Sequence, residues 1–257
     1  MATAKTHTRN PRRWLWLILL VAALLERCLY GRLRSTLPPM TLPAWSSFLT
    51  GRPPGEHGIF DFTWPEVAER RLHLVDARPA DAKPPVWSDL WAIYSQVRER
   101  KPKVMLEFGS GCSTIIQAQA LADNTAQGAP GFLHSLDADA RWGQVTINSM
   151  PEHLRQYCDI TLTERVEDML GDVPVWRFAQ IPDVVPDMIY LDGPALTPER
   201  RAAIDVLDME ERFPAGFRLL VDGRSFNRTL LEKHFKRRYD RRHRPILKST
   251  TYDLLPD

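Results

Sequence analysis

Cysteine is scarce. Cys28, Cys112 and Cys158 are the only three in 257 residues, widely separated and odd in number. That spacing excludes a disulfide framework and a cysteine-based metal motif, and it fits a reducing compartment. An excess of one charge is also missing. Thirty-four Lys and Arg face 32 Asp and Glu, leaving a net charge of +2, so bulk charge gives no sign of a nucleic-acid binder. No apolar run reaches the roughly 20 residues that span a bilayer. The nearest is Trp14 to Leu25 (WLWLILLVAALL), preceded by Arg12 and Arg13. It suits a buried or interfacial helix, a membrane anchor or a signal segment, but Glu26 and Arg27 follow it in place of a small-x-small cleavage site. No internal repeat is present.

Proline is plentiful, with 21 residues crowded toward the first third. This unevenness divides the chain into an N-terminal region, 1–62, a polar linker, 63–85, ending in "ARPADAKPP", and a longer region, 86–257. The last has the rhythm of alternating strands and helices. Leu90, Trp91, Tyr94 and Val97 share one helical face within 87–100. Strands are expected at 103–108, 131–137, 159–164, 187–192, 217–223 and 246–255. Helices are expected at 113–122, capped by Ser113, at 141–150, at 197–213, opened by Thr197 and Pro198, and at 226–239. Such alternation predicts an α/β fold, a Rossmann-like, doubly wound and mostly parallel sheet, with a proline-rich, partly helical N-terminal extension.

Ligands in such sheets sit beyond the carboxyl ends of the strands. Four strands end there in acids: Glu107, Asp137, Asp192 and Asp222. Any one of them could be an ordinary turn or helix-start residue. After Glu107 comes "FGSGCST", in which Gly109, Ser110 and Gly111 precede Ser113. Glycines allow close backbone approach, and the helix that follows offers free N–H groups to an anion.

In these residues the region 87–257 resembles the class I S-adenosylmethionine-dependent methyltransferases. The resemblance implies that Glu107, Gly109, Ser110, Gly111 and Ser113 line the cofactor and that Asp137 accepts the ribose hydroxyls, with Asp139 as a substitute. Thr114 stands where a Gly-x-Gly-x-x-Gly motif needs its last glycine, and no Tyr-x-x-x-Lys signature is present, so a nicotinamide cofactor is disfavoured. A finer likeness is to metal-dependent O-methyltransferases, whose divalent cation would be held by Asp192 and Asp222. Gly223 replaces the asparagine expected next, and "GPALTP" lacks the lysine base. The implied reaction is methyl transfer to oxygen or nitrogen of a small-molecule or glycan-type acceptor, with Asp192 as catalytic base or orienting group. His134, His153 and His234 are expected to be packed or solvated.

Residues 24–62, with "TLPAW" and "SFLTGRPPGEHGIFDF", resemble the nucleophile region of alkaline phosphatase superfamily phosphodiesterases. That likeness places Thr41 at the nucleophile. The aspartate expected upstream is replaced by the apolar run, so Thr41 lacks its metal set, and the segment is expected to be a remnant. The basic stretch 233–244 (KHFKRRYDRRHR) is expected to be a solvated helix end; nucleic acid and anionic lipid are the alternatives. The expected setting is cytoplasmic, with membrane association through residues 14–25 left open. The competing reading is a non-catalytic, membrane-associated protein with two degenerate enzyme-like regions.

Overall fold

The computed structural model describes residues 78–82, 85–195, 199, 201–245 and 248–256. All belong to the second of two compact units, Asp61–Asp257. The apolar run 14–25, Cys28, Thr41 and the expected N-terminal region lie outside the described residues. Among those described, no helix is long and apolar enough to cross a membrane.

In chain order the elements are α1 (Trp87–Arg100), β1 (Val104–Phe108), α2 (Cys112–Ala126), β2 (Phe132–Asp137) and α3 (Ala140–Ser149). There follow β3 (Cys158–Leu162), β4 (Arg165–Leu170), β5 (Val173–Phe178) and β6 (Met188–Leu191). The chain ends with α4 (Asp205–Met209), β7 (Arg218–Asp222), α5 (Ser225–His234), β8 (Tyr239–Arg244) and β9 (Ser249–Leu254). The main sheet has the order β3-β2-β1-β6-β7-β9-β8. Strands β3, β2, β1, β6 and β7 run parallel; β9 is antiparallel to β7, and β8 to β9. This is a doubly wound, Rossmann-like order with β1 and β6 at its centre.

Alternation along each strand sends side chains to two cores. Met105, Leu133, Met188 and Leu220 pack with Ile93, Val97, Ile116 and Leu121 of α1 and α2. Their neighbours Leu106, Leu136, Ile189 and Leu219 pack on the opposite face with Val206, Phe213, Leu231 and Tyr252. Burial on both faces explains the continuous apolar runs of β1 and β6.

Three expectations need correction. The helix expected over 197–213 shrinks to α4 and a 3-10 turn, Glu210–Arg212. Upstream of α4 the backbone pairs instead with β5: Trp176 N donates to Ala202 O (2.8 Å) and Ile204 N to Trp176 O (3.2 Å). The helix expected to reach residue 239 stops at His234, because the Glu210 carboxylate takes the N–H groups of Lys236 and Arg237 (2.9 and 3.0 Å). The basic stretch then becomes the edge strand β8, whose exposed charges discourage further pairing. Third, the antiparallel hairpin β4–β5, turning at Gly171 (φ 59°), was not anticipated.

Consecutive strands run outward from β1 in one direction and from β6 in the other, so a crevice opens between their carboxyl ends. Two glycines close its floor. A Cβ on Gly109 (φ 97°) would come within 2.6 Å of Gly193 Cα, and one on Gly193 within 2.4 Å of Gly109 Cα. Neither backbone can yield without moving a strand end. Gly193→Ala is therefore expected to lower the unfolding free energy by about 1–3 kcal/mol in urea titrations. Gly111→Ala, which would meet nothing within 4 Å, should leave it within about 0.5 kcal/mol.

Candidate active site

The crevice holds two cavities that share Arg78, Ser110, Gly111 and Cys112. The larger, about 290 Å³, lies between the start of α2 and the α3 residues Trp142, Val145 and Thr146. The smaller, about 240 Å³, reaches toward Asp89, Tyr190, Asp192 and Asp222.

Glu107, expected at the cofactor, lines neither cavity. Its side chain is fully buried and accepts four hydrogen bonds: from Ser113 Oγ (2.6 Å), Thr114 Oγ1 (2.6 Å), Gln117 Nε2 (2.5 Å) and Ser135 Oγ (2.6 Å). Burial outweighs these donors and pushes the carboxyl up to about 7. Glu107 thus fastens α2 and β2 to the end of β1 and presents the loop from below. The capping role expected of Ser113 is corrected too, although Ser113 does line the smaller cavity. It does not cap α2; the N-cap is Gly111, whose N–H donates to Thr114 Oγ1 (2.9 Å), while the Ser113 hydroxyl is committed to Glu107.

Gly111 stands where a ligand could approach. It opens the N-terminus of a 15-residue helix, borders both cavities and has open space on its Cβ side. Ser110 borders both cavities too. Its N–H (3.1 Å) and hydroxyl (2.5 Å) donate to Asp137 Oδ2, while Asp137 Oδ1 takes the N–H of Asp139 (2.9 Å). Asp137, buried at the tip of β2, is therefore covered by Ser110, and burial raises its carboxyl pKa. Asp139 is the N-cap of α3 and accepts from the N–H groups of Arg141 and Trp142.

Asp192 follows β6 and lines the smaller cavity with 47% of its side-chain surface open. Desolvation in the recess pushes it up to about 7, reinforced by Asp222 and Glu107 and opposed by Arg224. The open side lets water moderate that push. Arg224 Nε lies 3.4 Å from Asp192 Oδ1, and its guanidinium also donates to the carbonyls of Asp192 and Pro194 (2.7 Å for the latter). It pins the loop after β6. Asp222 Oδ2 accepts the Tyr190 hydroxyl (2.8 Å). A divalent cation does not fit this pair well. Gly223 has no oxygen ligand to give, each carboxylate already has a partner, and no group of three metal-ligating side chains exists among the described residues. His134 lies on β2 against Phe132 (5.0 Å between rings), half-buried, with its pKa lowered by desolvation.

Sequence reasoning missed the contribution of the linker. Arg78 and Asp81 form a wall of the larger cavity, and Asp81 is bound by both terminal nitrogens of Arg141 (2.7 and 2.9 Å). It also missed Trp142, over which Arg141 stacks at 4.6 Å. Periodicity offers no signal for a contact spanning sixty residues; only the polar, proline-dotted composition was visible.

The family model for type I phosphodiesterase / nucleotide pyrophosphatase matches residues 20–185, more than half of the chain. The chain belongs to that family. No curated protein matches it. In this family member the matched residues from Trp87 onward build α1 to β3 of the main fold and the separate β4–β5 hairpin.

Among solved structures it is similar to a methyltransferase from Geobacter sulfurreducens (13% identity, 81% of this chain and 97% of that one, TM-score 0.48). It is similar to the O-methyltransferase TomG from Streptomyces achromogenes in complex with SAM (12%, 88% and 100%, TM-score 0.46). A third is SAH-bound Podospora anserina methyltransferase PaMTH1 (14%, 89% and 100%, TM-score 0.49). Strand order and site geometry, rather than likenesses of this size, support the functional reading below.

The buried Glu107 makes a signed prediction for this family member. Its folded pKa, about 7, lies above the ordinary 4.5. Its contribution to stability is therefore complete below pH 4.5 and is lost as pH rises through 7. The loss is at most about 3 kcal/mol, from 1.36 kcal/mol per unit. Glu107→Gln keeps the shape and removes the titration. Relative to the parent, it should gain stability between pH 5 and pH 8 in urea unfolding. Parallel pH profiles would contradict the assignment.

Proposed function

We propose that the chain is an S-adenosylmethionine-dependent methyltransferase. Its acceptor would be a small molecule or glycan, methylated at oxygen or nitrogen. One observation carries this reading: the glycine loop Gly109–Gly111 opens a long helix at the switch point of the sheet, directly on the larger cavity. The fit follows from the residues present. The first-turn N–H groups of α2 suit the ligand's carboxylate. Gly111 leaves the space a side chain would fill. Apolar walls from Ile115, Trp142 and Val145 suit a flat ring. Asp137 would hold the ribose hydroxyls once Ser110 turns its own hydroxyl away.

When bound, the sulfonium supplies an electrophilic methyl group with a good leaving group. The protein's part is alignment, exclusion of water and, for some acceptors, removal of a proton. Asp192 suits the last task. It borders the adjoining cavity, desolvation raises its pKa, and Arg224 donates to its backbone carbonyl. Cys112 and Cys158, both half-buried, form no disulfide, which fits the reducing, cytoplasmic setting this reading implies.

Titration calorimetry on the full chain tests the cofactor. S-adenosylhomocysteine should bind with Kd about 1–100 µM. Gly111→Val, whose Cβ would meet nothing within 4 Å, should weaken it about tenfold or more, equivalent to about 1.4 kcal/mol, with little change in thermal stability. A folded protein that takes up neither S-adenosylhomocysteine nor S-adenosylmethionine would end the proposal.

A second reading, phosphodiester hydrolysis through Thr41, is favoured by the family match. It requires release of nitrophenol from a model diester by the full chain and loss of that release in Thr41→Ala. The methyltransferase reading expects no release from either protein.

A further inference from the structure

The hairpin β4–β5 brings together nitrogen donors that the fold leaves unmatched. Trp176, on β5, is 7% exposed, and its indole Nε1 has no hydrogen-bond partner. Two guanidiniums lie against its ring, with Arg165 and Arg201 each placing Cζ 4.9 Å from the ring centroid. Arg201 Nε is likewise buried without a partner. Two local pairings bring the groups together. Arg165 starts β4 opposite the end of β5, and Ala203 forms a parallel bridge to Trp176, which sets Arg201 beside the indole. The cluster adjoins the crevice, because Arg165 Nη1 donates to the carbonyl of Ala195 (3.4 Å), a wall of the larger cavity.

Buried donors without acceptors are costly, at about 1–3 kcal/mol each. A guanidinium carries five N–H groups in a fork that matches carboxylate and phosphate oxygens. Stacking on the indole face holds that fork in place and leaves its edge free to donate. One edge shows its preference already: Arg201 Nη1 lies 2.9 Å from Glu167 Oε2. The Glu167 side chain is 69% exposed, and a pair so open to water is worth at most about 1 kcal/mol. An incoming oxyanion can displace it.

We propose that Arg165, Arg201 and the indole N–H of Trp176 form an oxyanion subsite, and that the methyl acceptor carries a carboxylate or phosphate group held there. The role of the bound molecule as acceptor rests on the methyltransferase reading; binding of the anion does not.

The test is a titration of the isotopically labelled full chain, following tryptophan indole N–H resonances at constant ionic strength. Trp176→Phe identifies the resonance and keeps an aromatic face for the two guanidiniums. Inorganic phosphate and acetate are added separately, against sodium chloride. The proposal expects a saturable shift of the Trp176 resonance. Saturation by phosphate alone assigns a phosphorylated acceptor, and by acetate alone a carboxylate. Arg165→Gln and Arg201→Gln should each weaken binding about tenfold. A resonance that stays put with both anions, or that follows chloride equally, overturns the subsite. So does saturable binding that both Arg variants leave unchanged. Saturable anion binding without uptake of S-adenosylhomocysteine would keep the subsite and remove the methyltransferase reading. Uptake of S-adenosylhomocysteine with an unmoved indole resonance would do the reverse.

Discussion

The carboxylate of Glu107 is the fixed point around which the crevice is built. It sits at the end of β1 with no exposure to solvent, and four side chains converge on it, three from α2 and one from β2. A buried acid in this position is tolerable only because those donors are present. Remove them and the charge is stranded; remove the acid and three hydroxyls and an amide lose their acceptor. The arrangement therefore fixes where α2 begins and which way its N-terminus faces. Gly111 opens on the cavity because Ser113 and Thr114 are held underneath it.

A second constraint works at the same point. Gly109 and Gly193 touch backbone to backbone, so the loops after β1 and β6 must both stay free of side chains there. Arg224 then holds the second loop through its carbonyls. Together these contacts leave Asp192 at the edge of the crevice, half open, while Asp137 is shielded by Ser110. The two acids look equivalent as strand-end residues, but their surroundings leave one covered and the other half open.

Much of this was legible in the sequence, and the reasons are specific. Continuous apolar runs revealed β1, β6 and β7, since strands buried on both faces need them. Glycine spacing revealed the β1 loop. The direction of Glu107 was not legible: a strand-end acid beside glycines looks like a ligand residue, whereas the hydroxyls of Ser113, Thr114 and Ser135 and the Gln117 amide hold it beneath the loop. Competition from tertiary contacts explains the other departures. The β5 backbone recruits residues 202–204 from an expected helix, and Glu210 ends α5 early to leave β8 as an edge. The contact between Asp81 and Arg141 has no periodic signature at all. Family membership, which the match over residues 20–185 establishes, and the Rossmann-like sheet describe different properties of this chain. The described residues present a helix start to an open cavity.

The most direct measurement is a crystal structure of the full chain grown with S-adenosylhomocysteine. The account predicts the ligand's carboxylate at the first turn of α2, its sulfur near Gly111, and its ribose hydroxyls on Asp137 in place of the Ser110 hydroxyl. A ligand bound away from the loop Gly109–Gly111, with Ser110 still closed on Asp137, would contradict it.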